Sequence, residues 1–201
     1  MYWAGSLLKY IKTNFVYKGE RYIDTLYDML NPEIEPVYYK MALVLFVVII
    51  ICNKMIPEKI CKGKRVFCLA LMLTYIFLVL ASTILSRTSS GIHRYELMPF
   101  WSYVEIIKNN NAFIFWEVVL NILMMVPVGF MTVFSFNRIT IKGVVIMAFL
   151  IEAFIEGMQL ILCRGLAEWD DIIHGMIGAA VGYGMALAVR TCVNYMVSNR
   201  Y

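Results

Sequence analysis

Glu152, Glu156 and Gln159 fall at i, i+4 and i+7 inside an otherwise apolar run, so at helical pitch they share one narrow face. A short charged turn follows, and beyond it His174 stands four residues after Asp170 and three after Asp171, again facing one way. Two chemistries fit these groups. His174, oriented by Asp170 or Asp171, could act as a general base while Arg164 or Arg87 clamps a phosphate. Alternatively, Glu156, Asp171 and His174 could offer oxygen and imidazole ligands to a divalent metal, although no HExxH-type spacing supports it. No GxSxG, Walker loop or Cys/His pairing marks a familiar catalytic centre, and the sequence implies no metal or cofactor.

These residues must be positioned by helices in a membrane. Of 201 residues, 61% are hydrophobic and only 16% charged, against about a quarter charged in ordinary globular chains. The expected fold is all-α: a polytopic membrane helical bundle with about five transmembrane helices and an N-terminal amphipathic helix. Residues 1–36 carry Leu7, Leu8, Ile11 and Phe15 at helical spacing with Trp3, Tyr10, Tyr17 and Tyr22, the pattern of a helix lying on a bilayer surface. Residues 37–201 form the bundle, with spans expected at 37–56, 66–85, 112–136, 144–163 and 171–197. Pro127 and Gly129 should kink or loosen the third span. The loop over residues 86–111 holds Met98-Pro99-Phe100-Trp101, too apolar for a solvated linker, and should fold back as a lid or dip into the interface. The dispersed Lys and Arg of a net +4 chain show no tract suited to nucleic acid. Five Cys without CxxC spacing read as small buried hydrophobes rather than a disulfide or zinc framework. The basic residues that interrupt the N-terminus exclude a compact cleavable signal.

The basic 53–65 loop is the densest cationic cluster and is placed in the cytoplasm, which puts the N-terminus, the 86–111 loop and the 164–170 turn outside. Glu117 and Asn121 then lie roughly 8 to 14 Å, and Glu156 and Gln159 on the order of 6 to 12 Å, below the outer ends of their spans. Asp171 and His174 sit at the mouth of the fifth span, with Arg164 in the turn and Arg87 at the top of the second. Polar groups from four spans therefore share one layer, with Glu152 deeper. Each has a plainer role open to it: a helix cap for Asp170 or Asp171, a structural hydrogen bond for His174 or Asn121, a surface neutralisation of Glu168 or Asp170 for Arg164. Glu156 is hardest to dismiss, because a carboxylate among lipid tails needs a partner or a proton. The row Gly178, Gly182, Ala186 invites close helix packing, within the bundle or between two copies as a homodimer.

Asn121-x5-Pro127-x-Gly129, then Glu156-x2-Gln159, Arg164, Asp170-Asp171 and Gly178 with Gly182, resemble the VanZ-like family of small bacterial membrane proteins. Leu85-Ser86-Arg87 and Met98-Pro99-Phe100 resemble its earlier signatures, so the likeness runs from about Leu71 to Ala188. After the Asp pair and three more residues, this chain has Gly175 where the family often has Asn, with His174 just before it. The resemblance implies a bacterial plasma membrane and a contribution to lipoglycopeptide (teicoplanin) resistance. The implied partners are membrane lipids, lipid-linked cell-wall intermediates or the lipoglycopeptide itself. An outward pocket of Arg87, Glu117, Asn121, Glu156, Gln159, Arg164, Asp170, Asp171 and His174 would suit an amphiphile with an anionic head. The alternative is an intramembrane hydrolase or transferase acting on a lipid-linked (isoprenoid) phosphate.

Overall fold

A computed structural model describes residues 36–54 and 63–198. They form α1 (Pro36–Lys54), α2 (Gly63–Leu80, prolonged by a π turn over Ala81–Leu85), β1 (Tyr95–Glu96), α3 (Trp101–Asn109), α4 (Ala112–Ser135), α5 (Ile141–Leu162), β2 (Ala167–Glu168) and α6 (Trp169–Ser198). The protein is an all-α bundle. Four helices are long and apolar enough to cross a membrane: α2 with its π turn, α4, α5 and α6. The first of the five expected spans is α1, whose apolar stretch Pro36–Ile51 is shorter. The surface helix expected over residues 1–36 lies, apart from Pro36, outside the described residues.

Polar residues at the loop ends set where the helices begin. Asn111 accepts from the Phe113 and Ile114 N–H groups at 3.2 and 3.4 Å to open α4, and Thr140 accepts from Gly143 N–H at 3.3 Å to open α5. Each satisfies first-turn donors that have no partner within the helix. Cys163 closes α5 in the left-handed region at φ 54°, its N–H turned back on the Gln159 and Leu160 carbonyls. Pro127 does not break α4, which runs through it. Proline crowds the preceding turn and brings no N–H; there the Tyr75 hydroxyl of α2 donates to the Met124 carbonyl at 2.8 Å, the kind of outside donor that supports a proline turn in lipid.

α4 and α6 run side by side in the same direction and touch through backbone. A Cβ placed at Gly178 would strike the Ile122 carbonyl, one at Gly182 the Val126 carbonyl, and one at Gly129 the backbone of Ala179. The glycine row that might have served a homodimer is therefore filled by α4 of the same chain. Around this contact lies one core of Met72, Val79, Ile84, Met125, Val128, Val144, Ala148, Ile155 and Ala179. α2 and α5 end, and α4 and α6 begin, at the same end of the bundle, where the β1–β2 ladder pairs Tyr95 with Ala167 and Glu96 with Glu168 in parallel.

Candidate functional site

The loop between α2 and α4 is strapped onto the α5–α6 turn. Ser90 N–H donates to the Cys163 carbonyl at 2.8 Å, Ser89 Oγ to the Leu162 carbonyl at 3.0 Å and Ala167 N–H to the Arg94 carbonyl at 3.0 Å. His93 Nδ1 lies 2.7 Å from the Leu160 carbonyl and 3.3 Å from Cys163 Sγ. That His–Cys contact joins residues 70 apart and has no signature in the sequence. The strap is completed by Asp170, which is buried. Its carboxylate receives Phe100 N–H at 2.5 Å, Ser102 N–H at 3.0 Å and the Ser102 hydroxyl. Asp170 thus caps α3 rather than its own helix or His174. Asp/Glu at a helix start meets both its unpaired N–H groups and its positive dipole end.

Two further acids sit beneath that strap. Glu168 Oε2 accepts from the Trp101 indole N–H at 3.1 Å, and the Glu168 backbone N–H donates to Glu156 Oε2 at 2.8 Å. Glu156, expected to need a partner, finds it in the backbone of the following turn. Burial pushes the Glu168 carboxyl up from 4.5 to about 8, and the charges of Asp171, Glu117 and Glu156 add to this against the lowering hydrogen bond from Trp101. An acid whose folded pKa is raised stabilises the fold fully below its unfolded value, and that stability is lost as pH climbs through the folded value. Stability should therefore fall between pH 4.5 and about 8. Glu168→Gln, which keeps an acceptor for Trp101, should make the decline shallower. Thermal unfolding of both proteins across pH 5 to 8 checks this, and an equal slope in the two would contradict it.

Asp171 is the hub of the second set. Its Oδ1 accepts from Asn121 Nδ2 at 2.5 Å, joining α6 to α4, and stands 3.7 Å from His174 Nδ1, beyond hydrogen-bond reach. His174 is buried, and its Nε2 lies 3.1 Å from the Tyr103 hydroxyl of α3. Burial, with the charge of Asp170 added, raises the pKa of that hydroxyl, so it stays protonated in contact with the imidazole. Glu117 and the exposed Arg87 are within electrostatic reach of one another, and Glu117 is likewise within reach of Asp171 and His174. Deeper, Glu152 is 1% exposed and fills the space over Gly175, where any Cβ would meet its carboxyl group. Gly175 thus makes room for an acid.

Gln159 and Arg164 have another role. The π turn at the end of α2, closed by the bond from Ser86 N–H to the Ala81 carbonyl at 2.8 Å, turns three carbonyls toward α5. Gln159 Nε2 donates to the Thr83 carbonyl at 3.3 Å, and Arg164 Nη1 to those of Ile84 at 2.9 Å and Leu85 at 3.3 Å. Arg164 thereby caps the end of α2 through Nη1. Arg87 alone of the two arginines faces the acids, its Nη1 lying 2.6 Å from where a Gly165 Cβ would sit.

Of the residues expected to form a site, the structure brings Arg87, Glu117, Asn121, Glu156, Asp171 and His174 into one seam, and assigns Gln159, Arg164 and Asp170 to capping. Glu168 and Tyr103 join the seam unforeseen. Glu168 reads in the sequence as a solvated turn residue, and Tyr103 as one more loop aromatic. Among the described residues, no group of three or more His, Cys, Asp or Glu is placed to hold a metal ion, so Glu156, Asp171 and His174 do not close on a common point.

A helical bundle with apolar helices of spanning length and a polar seam under a strapped loop at one end defines an α-helical membrane protein. The chain matches the VanZ/LLP1 family over residues 66–190, more than half of its length, and belongs to that family. No curated protein and no solved structure matches it. The segments on which the resemblance rested take defined places: Leu85-Ser86-Arg87 is the α2 end that Arg164 caps, and Met98-Pro99-Phe100 is the lead into the helix that Asp170 caps.

Proposed function

We propose that this protein is a multi-pass protein of the bacterial plasma membrane that binds or shields an envelope amphiphile at the polar seam, and so contributes to resistance against lipoglycopeptides of the teicoplanin type. The observation that carries the reading is the seam itself: Glu117, Asp171 and His174 from two helices and Arg87 from the loop after α2, partly open at the end of an apolar bundle. Intramembrane ionisable groups are expensive and are kept where they serve a function. The strapped loop beside the seam exposes Leu97, Met98, Phe100 and Ile107, side chains that suit the acyl region around a head group rather than open water.

The test is teicoplanin susceptibility in a sensitive host expressing wild type or Glu156→Gln, with membrane levels matched. The amide keeps an acceptor for Glu168 N–H while removing the ionisable group, so the variant should fold. Protection by wild type with at least about a tenfold weaker effect in the variant, the loss of roughly 1.4 kcal/mol of binding, is the expected result. Equal protection by the two would remove Glu156 from the site, and no protection by either would remove the resistance role.

A further inference from the structure

The acids of the seam receive few hydrogen bonds from the described residues. Asp171 Oδ1 takes one N–H from Asn121, Glu156 Oε2 takes one from Glu168, and Glu152 Oε1 is buried with no hydrogen-bond partner. His174 Nδ1, in a side chain only 1% exposed, also lacks a partner while aimed at Asp171 Oδ1 3.7 Å away. With the Tyr103 hydroxyl donating to Nε2, Nδ1 carries a proton toward Asp171; in the other tautomer Nδ1 and Oδ1 are two acceptors facing each other. A buried acceptor left unpaired is costly. At its open edge the seam offers two acids, Asp171 and Glu117, to a cationic donor with several N–H groups.

Three features set the character of that donor. Among the described residues no three or more His, Cys, Asp or Glu are grouped for a metal ion, so the cation considered is an organic one. The Asp171 side chain is 21% exposed and Glu117 is partly exposed, so the seam is open from the side on which Arg87 stands. Arg87 would repel a simple amine on its way in. Arg87 is the guanidinium within electrostatic reach of Glu117 and Glu156, placed to receive an anion there.

We propose that the seam takes the ammonium end of a zwitterionic amphiphile, donating to Asp171 and Glu117, while the anionic group of the same head lies on Arg87. This rests on the amphiphile reading above and revises the anionic head that the sequence suggested. A primary ammonium supplies three donors on a compact charge. A quaternary ammonium has none, and a purely anionic head meets repulsion from the acids.

Native mass spectrometry of the purified full chain in detergent, titrated with phosphatidylethanolamine, phosphatidylcholine or phosphatidylglycerol, tests this directly. Wild type should retain phosphatidylethanolamine about tenfold more strongly than either of the others. Asp171→Asn and Glu117→Gln should each abolish the preference, and Arg87→Gln should weaken retention of phosphatidylethanolamine. The two acid variants are near-isosteric, and Glu117 is not fully buried, so at least one should keep the wild-type unfolding temperature. Equal or stronger retention of phosphatidylglycerol, or unchanged preference in a folded acid variant, would overturn the proposal. Protection against teicoplanin without ethanolamine preference would sink the ammonium assignment alone, whereas preference without protection would support the site and sink the resistance role alone.

Discussion

Asp170→Ala should release α3 from the bundle and destabilise the protein by about 3 to 5 kcal/mol, the cost of leaving buried donors without their charged acceptor. Two backbone N–H groups and one hydroxyl converge on this carboxylate, which is 1% exposed. Phe100 adds to the effect. It is held in the left-handed region at φ 65°, a conformation unfavourable for a bulky residue, and its bond to Asp170 helps fix it there. Without that bond Phe100 should relax, and Trp101 should leave Glu168. Asp170→Asn should lie between, because it keeps one acceptor but turns an N–H toward one of the three donors. Ser102→Ala should be mild, since the Ser102 N–H bond survives. Amide exchange over residues 100–104, with denaturant unfolding for the magnitude, reads both consequences. Protection of those amides unchanged in Asp170→Ala would show that α3 is held by something else.

That prediction also marks how far the sequence carried. The bundle was legible because apolar runs of spanning length can hardly be anything else; α4 starts at the expected 112, whereas α5 opens at Ile141, three residues before the expected 144, where Thr140 caps it. The convergence of Glu117, Asn121, Asp171 and His174 was legible from depth alone, since helix rise fixes level without knowledge of contacts. What depth could not give is direction around the bundle. Arg164 and Asp170 lie at the right level, yet each turns to a carbonyl or amide contributed by a segment about 70 to 80 residues away, and nothing in a local pattern announces such a partner. The π turn that creates Arg164's acceptors arises from a run, Ala-Ser-Thr-Ile-Leu, which reads as ordinary helix. Glu168 was missed for the opposite reason. A Glu in a short charged turn is usually solvated, and only the loop folding over it makes it buried.

Gly182→Leu should prevent the bundle from assembling, at a cost above about 4 kcal/mol, because the clash is with backbone that no rotamer change can move. A Cβ at 182 already strikes the Val126 carbonyl and lies 2.9 Å from Phe130 N, and Gly178 stands in the same relation to Ile122 one turn earlier. Such small-residue rows let transmembrane helices approach closely where no hydrophobic effect drives them together. Gly184→Leu provides the control two residues away. Nothing lies within 4 Å of its Cβ position, and leucine is the better helix former by about 0.8 kcal/mol, so this variant should be neutral or slightly stabilising. The pair separates two uses of the glycine row. If the row sealed a homodimer rather than the bundle, Gly182→Leu would yield a folded monomer of unchanged unfolding temperature. If it seals α4 against α6, the same substitution should lower the unfolding temperature or abolish folded protein whatever the oligomeric state, and should carry Asn121 away from Asp171. The seam is built on that helix pair, so its chemistry depends on glycines that carry none.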